Sequence, residues 1–382
     1  MPVAGIITEY NPLHRGHLLQ LERTRALLGP DTAIVCAMSG NFVQRGEPAI
    51  FHKTLRARAA VACGADLVLE LPVNTALSSA EGFAAGGVKI LGQLCSHLSF
   101  GSESGSSDRI MSTAERLLSP EFPTFLRAEL DRGLSFPAAR QKALAHMGCD
   151  SEFLSRPNDI LAVEYCKAIL SQELKLQPLP IIRGGDYHAT APEIREPSAT
   201  SLRRLILEGE SIEPYVPAAA AEVFSGAAVH TPDAGERSIL YRLRTMTDEE
   251  FESLPYGSEG LWRKLMHESR RQANLEQILT AVKSKRYTRS RLDRMVMCAA
   301  LGLDGKTLSQ TPPYTRVLAF NDRGRQILSA HRKAGTFLHT GEKADHPFWA
   351  VEQRCEAIYG LFAKEAPEAP DQAEKSRVAY VR

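Results

Sequence analysis

An α/β fold, with a parallel sheet covered by helices on both faces and a mostly α-helical region after it, is predicted by three observations. Short segments that are apolar throughout recur over the first 205 residues, amphipathic stretches alternate with them, and from about residue 213 strand signals nearly stop. Strands covered on both faces lose the alternation of a half-exposed sheet, and parallel neighbours need a crossover that is usually a helix.

The elements follow in order. "VAGII" (3–7) reads as a strand, His17 to Leu28 as a helix, "TAIVCAM" (32–38) as a strand and Lys53 to Cys63 as a helix. "DLVLELP" (66–72), a helix over Ala80 to Leu94 and "HLSFGS" (97–102) continue the pattern. Residues 106–171 read as mainly helical and end in "NDILAVEYCKAIL", which Asn158 or Asp159 can cap. "LPIIRGG" (179–185) restores a strand, and "SATSLRRLILEG" (198–209) starts a helix with a Ser or Thr cap. Beyond that, helix follows helix, with "TRVLAF" (315–320) as the one strand-like run, and the polar "KEAPEAPDQAEKSR" (364–377) reads as frayed. The change of character places a boundary near residue 212, giving domains 1–212 and 213–382.

A chain of 382 residues makes two domains the default, and 43% hydrophobic with 24% charged residues is the composition of a soluble globular protein. No run of about 18 apolar residues is present, and "MPVAGIITEY" lacks the charged and apolar regions of a signal peptide. The cysteines at 36, 63, 95, 149, 166, 298 and 355 are dispersed, without metal-ligand spacing. Reduced thiols and a cytoplasmic location are the expectation.

Parallel sheets bind ligands beyond the carboxyl ends of their strands. The segments due there are Thr8 to His17, Ser39 to Glu47, Leu71 to Asn74 and Gly101 to Glu103. The first contains "EYNPLHRGH" (9–17), where His14 and His17 flank Gly16 just before a helix. A helix start offers unpaired N–H groups to phosphate, Gly16 lets backbone approach closely, and imidazole donors stabilise the charge of a departing pyrophosphate. The His-x-Gly-His pattern is similar to the signature of the nucleotidyltransferase and class I synthetase superfamily. A second phosphate element reads from "SATSLRR" (198–204): Ser198, Thr200 and Ser201 cap a helix and Arg203 reaches out from its first turn. His14, His17 and Arg203 are the candidate catalytic residues. In the loop after the second strand, Ser39, Asn41, Gln44, Arg45 and Glu47 are polar groups with no evident use in a core. Lys53 and Arg56 read either as a solvated helix face or as cations within reach of phosphate, and Glu70 as a possible magnesium ligand.

Taken together, "GIITEYNPLHRGH", "MSGNFVQRGEPAIFHKTLRARAAVACGADLVLELPV", "FGSES", "NDILAVEY" and "GGDYH" resemble the bacterial tRNA(Met) cytidine acetate ligases. The likeness covers the first 205 residues and continues more weakly to about 362, as in "RSRLDRMVMCAALGL" and "EQRCEAIYGL". It implies a Rossmann-like nucleotidyltransferase domain that binds ATP, and a mainly helical tRNA-binding domain. It also implies formation of acetyl-adenylate from ATP and acetate, with Mg2+ accompanying the ATP, and transfer of acetyl to N4 of the wobble cytidine of elongator tRNA(Met). ATP would be held by Ile7, Thr8, Glu9, Tyr10, Asn11, Pro12, Leu13, His14, Arg15, Gly16, His17, Leu18, Leu19 and Gln20. Gly101, Asn158, Ser198 and Thr200 would add to these, with an arginine at the end of "IIRGG". Here Ile182 stands at that arginine's position and Arg183 follows it. Ser39, Asn41, Gln44 and Arg45 would border the acetyl group or the cytidine.

Between Trp262 and Arg294 stand ten Lys or Arg against three acidic residues, an excess of seven in a chain whose net charge is +1. "KSKRYTRSR" interleaves Tyr287 with cations, which suits phosphate contact with stacking. Lys283, Lys285, Arg286, Arg289 and Arg291 are the candidate tRNA contacts. Two alternatives stay open on the residues alone: a small-molecule adenylyltransferase without RNA, separable by tRNA affinity, and a nucleotide-gated RNA-binding protein without turnover, separable by pyrophosphate release.

Overall fold

The first strand, β1 (Val3–Thr8), sits inside the main sheet with β2 (Ala33–Ser39) on one side. A two-stranded hairpin, β3 (Phe42–Val43) and β4 (Glu47–Pro48), precedes β5 (Leu67–Leu71), and β6 (His97–Ser102) and β7 (Gln177–Ile182) follow. Later strands are β8 (Thr315–Phe320), β9 (Phe337–Leu338) and β10 (Ala379–Tyr380). The sheet order is β10-β8-β5-β2-β1-β6-β7, with β9 beside β8. The computed structural model describes residues 2–150, 152–182, 197–331, 337–338, 342–365 and 378–381.

The helices of the first half are α1 (Arg15–Leu28), α2 (Lys53–Ala62), α3 (Val73–Ala76), α4 (Ala80–Leu91), α5 (Ser107–Leu118), α6 (Phe122–Asp131), α7 (Phe136–His146), α8 (Pro157–Ser171) and α9 (Ala199–Glu208). Then come α10 (Ala218–Phe224), α11 (Glu236–Thr245), α12 (Asp248–Glu252), α13 (Leu261–Ser269), α14 (Leu275–Val282), α15 (Arg289–Leu301), α16 (Gly305–Leu308), α17 (Asp322–Ala330) and α18 (Phe348–Tyr359). Among the described residues no helix is long and apolar enough to cross a membrane.

The α/β expectation holds, and alternation along β2 shows why. Ala33, Val35 and Ala37 enter one core with Phe83 and Val88 of α4 and Val163 of α8, while Ile34, Cys36 and Met38 enter the other with Leu21 of α1 and Ala57 of α2. On the first face α4 lies so close that a Cβ on Gly87 would stand 2.7 Å from Ile7 Cδ1, so any side chain there would force Ile7 to move. A third core holds helices α11 to α15 and α18, and Phe42 of the hairpin is built into it, edge-on to Tyr359 and Phe362 at 5.8 Å each.

The strand expected at 315–320 is present, but its place is a finding. β8 pairs antiparallel with β5, and β10 lies beyond it, so the sheet takes strands from both sides of residue 212. "TRVLAF" is buried along nearly its whole length, and covering the open edge of β5 is what buries it. Lys53 and Arg56 are a second departure, because both are buried. Arg56 donates to the carbonyls of Phe51 (2.9 Å), Glu9 (2.5 Å) and Gly40. Lys53 Nζ lies 2.8 Å from both Glu70 Oε1 and Glu356 Oε2, and Glu356 Oε1 is 2.6 Å from His52 Nε2. A helix face read from one segment gains its partners from elsewhere in the chain, one of them, Glu356 of α18, some 300 residues downstream.

Burial raises the Glu356 carboxyl, but Lys53 and the His52 hydrogen bond outweigh it and hold the group far below the usual carboxylate range. A carboxyl depressed in the folded state contributes its stability above its ordinary value of 4.5 and loses it as pH falls below that. Glu356→Gln is therefore expected to cost about 3 kcal/mol near neutrality. The gap to the wild-type protein should narrow below pH 4.5, as read by urea denaturation across a pH series.

Candidate active site

Strand order reverses between β1 and β6, and an open cleft of about 190 Å3 lies beyond the ends of these two strands. Its floor is the turn after β1. Thr8 ends the strand, and Tyr10 adopts a left-handed backbone (φ 45°) with its hydroxyl 3.5 Å from Cys36 Sγ. Asn11 Oδ1 accepts the Ile50 N–H at 2.7 Å, and Leu13 is locked in the core. The turn is held on both flanks before the helix begins.

His14 is the N-cap of α1. Its ring stacks on that of His17 at 3.7 Å between centroids, and Tyr10 meets His17 edge-on at 4.9 Å. The His14 N–H donates to His17 Nδ1 at 3.2 Å. A neutral imidazole that accepts at Nδ1 carries its proton on Nε2, so His17 presents a donor from that edge. The first turn of α1 contains no acidic residue, which leaves the positive end of the helix dipole suited to an anion.

The second phosphate element is brought to the same cleft. Ser198 caps α9 by accepting the Ser201 N–H at 3.0 Å. Arg203 donates to Asn11 O at 3.0 Å and Thr200 Oγ1 at 3.3 Å, and lies 3.3 Å from Glu47 Oε1. One guanidinium thus ties α9 to the turn after β1 and to the hairpin. The opposite side comes from β6 and α8. The Glu103 carboxylate accepts from Asn158 Nδ2 (2.7 Å) and from the backbone N–H groups of Asn158 (3.3 Å) and Asp159 (3.0 Å), so it caps α8 and fixes the Asn158 amide at the cleft edge. Phe83, Phe100, Leu161 and Tyr165 form an apolar wall beside Gly101.

The hairpin completes the rim with Gln44 and Arg45. Glu9 is half-buried and accepts the Gln44 N–H at 2.8 Å. Burial raises its carboxyl above the ordinary value, more than the Gln44 bond, Arg203 and Arg45 lower it. Gln44 Nε2 is buried and has no hydrogen-bond partner among the described residues, so a donor stands at the rim for a ligand acceptor.

Of the fourteen consecutive residues from Ile7 to Gln20, the cleft is lined by Ile7, Thr8, Glu9, Tyr10, Asn11, His14, His17 and Gln20. Arg15 turns away to donate to Pro214 O at 2.8 Å. Gly101, Asn158, Ser198, Thr200 and Arg203 line it as well. Ser39 and Asn41 do not: Ser39 is fully buried, and Asn41 Oδ1 accepts the Lys53 N–H at 2.9 Å. Neither do Leu71 to Asn74. Ile182 is exposed at the end of β7, with its carbonyl accepting from Arg23, and Arg183 lies outside the described residues. Among the described residues no cluster of three or more His, Cys, Asp or Glu is arranged to hold a metal ion, and Glu70 is taken by Lys53. Phe83, Leu161 and Tyr165 escaped the sequence reading because apolar helix residues carry no mark of facing a cleft rather than a core.

In the basic segment, Arg286 pairs with Glu259 (2.8 Å), Arg289 with Glu276 (2.7 Å) and Asp293 (2.9 Å), and Arg291 donates to Tyr256 O at 2.9 Å. Lys283 and Lys285 are exposed, and neither makes an ion pair among the described residues.

A family profile described as HIGH Nucleotidyl Transferase matches residues 1–374. A tRNA(Met) cytidine acetate ligase of Acetivibrio thermocellus is 36% identical over 358 residues, spanning 87% of this chain and 86% of that protein. One of Caldicellulosiruptor saccharolyticus is 39% identical over 355 residues, spanning 88% and 87%. The apo crystal structure of Thermotoga maritima TmcAL superposes over the whole of both chains with a TM-score of 0.92 at 31% identity. Its form bound with alpha-thio ATP gives 0.88 at 30%.

Removing the carboxylate cap tests the α8 side of the cleft without reference to any ligand. Glu103→Ala should lower stability by about 1–2 kcal/mol, the usual cost of losing an N-cap, in equilibrium urea unfolding. An unchanged midpoint would mean that water satisfies the helix start equally well.

Proposed function

The chain belongs to the tRNA(Met) cytidine acetate ligase family, and from that premise we propose how its cleft performs the reaction. It is an ATP-dependent ligase that modifies RNA. Its triphosphate lies along the N-terminus of α1, with His14 and His17 beside the α- and β-phosphates and Arg203 reaching the distal oxygens. The base rests by Gly101 and Asn158 against the apolar wall. Mg2+ enters as part of the nucleotide substrate, and the work takes place in the cytoplasm, where tRNA is met.

The chemistry follows from that placement. An acetate oxygen attacks the α-phosphorus, the bond to the bridging oxygen breaks, and pyrophosphate leaves with the electron pair. The His17 donor and the α1 dipole stabilise the growing negative charge. The cytidine N4 amine then attacks the acetyl carbonyl of the adenylate, AMP departs, and the amine loses a proton as the amide forms. No side chain becomes covalently attached, so the protein contributes position and charge. Gln44 and Arg45 border the acetyl group or the incoming base, and the Gln44 amide supplies a donor to either. The observation that carries this reading is the stacked His14–His17 pair, at a helix start without acidic residues, where strand order reverses.

The direct experiment is incubation with ATP, labelled acetate and total tRNA, followed by nucleoside analysis. Label in N4-acetylcytidine supports the reading, and its absence with a folded protein overturns it. His17→Ala should lower pyrophosphate release from ATP and acetate by about a hundredfold, the effect of losing one preorganised donor to developing charge. A variant that releases pyrophosphate at the wild-type rate would remove His17 from this role.

RNA binding falls to the exposed cations rather than the paired ones. Lys283→Glu combined with Lys285→Glu should weaken tRNA binding and flatten the plot of log affinity against log salt by about 0.7–0.9 per lost phosphate contact. Filter binding at several salt concentrations reads both quantities, and unchanged affinity would mark the segment as a solvated face.

A further inference from the structure

Helix α15 and the cleft share one residue between them. The Gln44 N–H donates to Glu9 Oε1 inside the cleft at 2.8 Å, while the Gln44 carbonyl accepts from Arg294 Nη1 of α15 at 3.2 Å. The next turn of the hairpin is pressed onto the same helix. Gly46 has a left-handed backbone (φ 85°), and a Cβ there would stand 2.3 Å from Arg294 N and 2.4 Å from Asp293 C. Arg294 is directed inward, half-buried, with its guanidinium 5.1 Å from the Tyr256 ring centre. The Gln44 side chain, clamped by its own backbone, is the one whose buried Nε2 has no partner among the described residues and lines the cleft.

We propose that Arg294 is a positioning residue for acetyl transfer: by holding the Gln44 carbonyl, it sets the Gln44 amide and Arg45 against the acetyl group and the incoming base. This rests on the reading that the cleft makes acetyl-adenylate and passes acetyl to cytidine. The geometry separates the two half-reactions. The phosphate cradle of His14, His17 and Arg203 is built on α1 and α9 and meets the hairpin at Glu47 of β4, past the tip, whereas Arg294 lies over the Tyr256 ring and holds the tip itself. Loss of its hydrogen bond lets the tip drift on the acceptor side while the triphosphate side keeps its own supports. A displacement of about 1 Å in a positioned group can cost on the order of a hundredfold in rate.

The test uses Arg294→Met, which keeps the stem against Tyr256, and Arg294→Lys, which restores one donor toward Gln44. Three quantities are read: pyrophosphate release from ATP and acetate, tRNA affinity at moderate salt, and the tRNA dependence of N4-acetylcytidine formation, which gives its turnover number and KM. The expected result for Arg294→Met is at least a tenfold loss in the turnover number of acetyl transfer. KM for tRNA should stay within about twofold and pyrophosphate release within about threefold, and Arg294→Lys should recover a substantial part of the turnover. A tRNA affinity that falls with the rate would show a phosphate contact instead, and equal loss in both half-reactions with a lowered Tm would show a purely structural part. Wild-type turnover in Arg294→Met would equally overturn the proposal. The wild-type enzyme in the same assay separates the two levels. If it forms no acetylcytidine, the underlying reading fails. If it is active and Arg294→Met matches it, only the positioning role fails.

Discussion

Strand order reverses at β1, and much of the molecule is arranged around that reversal. From β1 the chain steps outward through β2 to β5, then returns to lay β6 on the opposite flank of β1. Crossovers to the two sides leave in opposite directions, so a crevice opens that no sheet residue can fill. Three helix starts face this crevice, and those of α1 and α8 are finished differently. The start of α8 is closed by a carboxylate of the chain itself, Glu103. The start of α1 is capped by an imidazole pair and has no acid in its first turn. A carboxylate at α1 would occupy the place where a phosphate gains most from the dipole. The difference between the two caps separates a helix start closed by the chain's own carboxylate from one left open to an anion.

Charges in the interior bind the late part of the chain to the early part. Lys53 sits between Glu70 on β5 and Glu356 on α18, with Arg316 of β8 3.7 Å from Glu70 and Tyr314 donating to Glu352 at 2.9 Å. Stripping water from such groups costs several kcal/mol per ion, and the arrangement persists because each ion meets an opposite one. Compensation is thinner at Glu352, where burial, reinforced by the nearby Glu70, pushes the carboxyl up to about 7 despite Arg316 and Lys53. The antiparallel pairing of β8 with β5 and the Phe42 plug in the helical core serve the same connection.

What the sequence made legible were features carried by neighbouring residues. The alternating strands and helices of the first half, the His14–Gly16–His17 turn and the Ser198 cap are local, and the structure has them where the residues foretold. Distant partners were not legible. Lys53 and Arg56 look like surface cations because nothing near them announces Glu356 or the carbonyls they reach. The basic segment overstates its free charge, since Glu259, Glu276 and Asp293 neutralise cations that a running sum counts as available. The strand "TRVLAF" could be recognised, but its place in the sheet is set by the exposed edge of β5, which no local pattern records. The apolar wall of the cleft was invisible for a related reason. Phe83 and Tyr165 obey the same periodicity as core residues, and only the gap left by the strand reversal makes them line a cleft.

The polar loop after β2 shows how one short hairpin can serve two environments. Its register pairs Phe42 with Pro48 and Val43 with Glu47, which leaves a three-residue tip ending in Gly46 at positive φ. That geometry suits a tight hairpin whose last loop residue is left-handed. The root then lies in dry surroundings, where Asn41 supports α2 and Phe42 fills the helical core. The tip, only about 7–10 Å farther along at the usual rise per residue, carries Gln44 and Arg45 into the cleft. A buried aromatic root makes the tip stiff, and Arg294 fixes its direction. Ser39 and Asn41 are therefore a structural pair and Gln44 and Arg45 a cleft-lining pair, although all four look equivalent in sequence, and the division falls where the hairpin leaves the core.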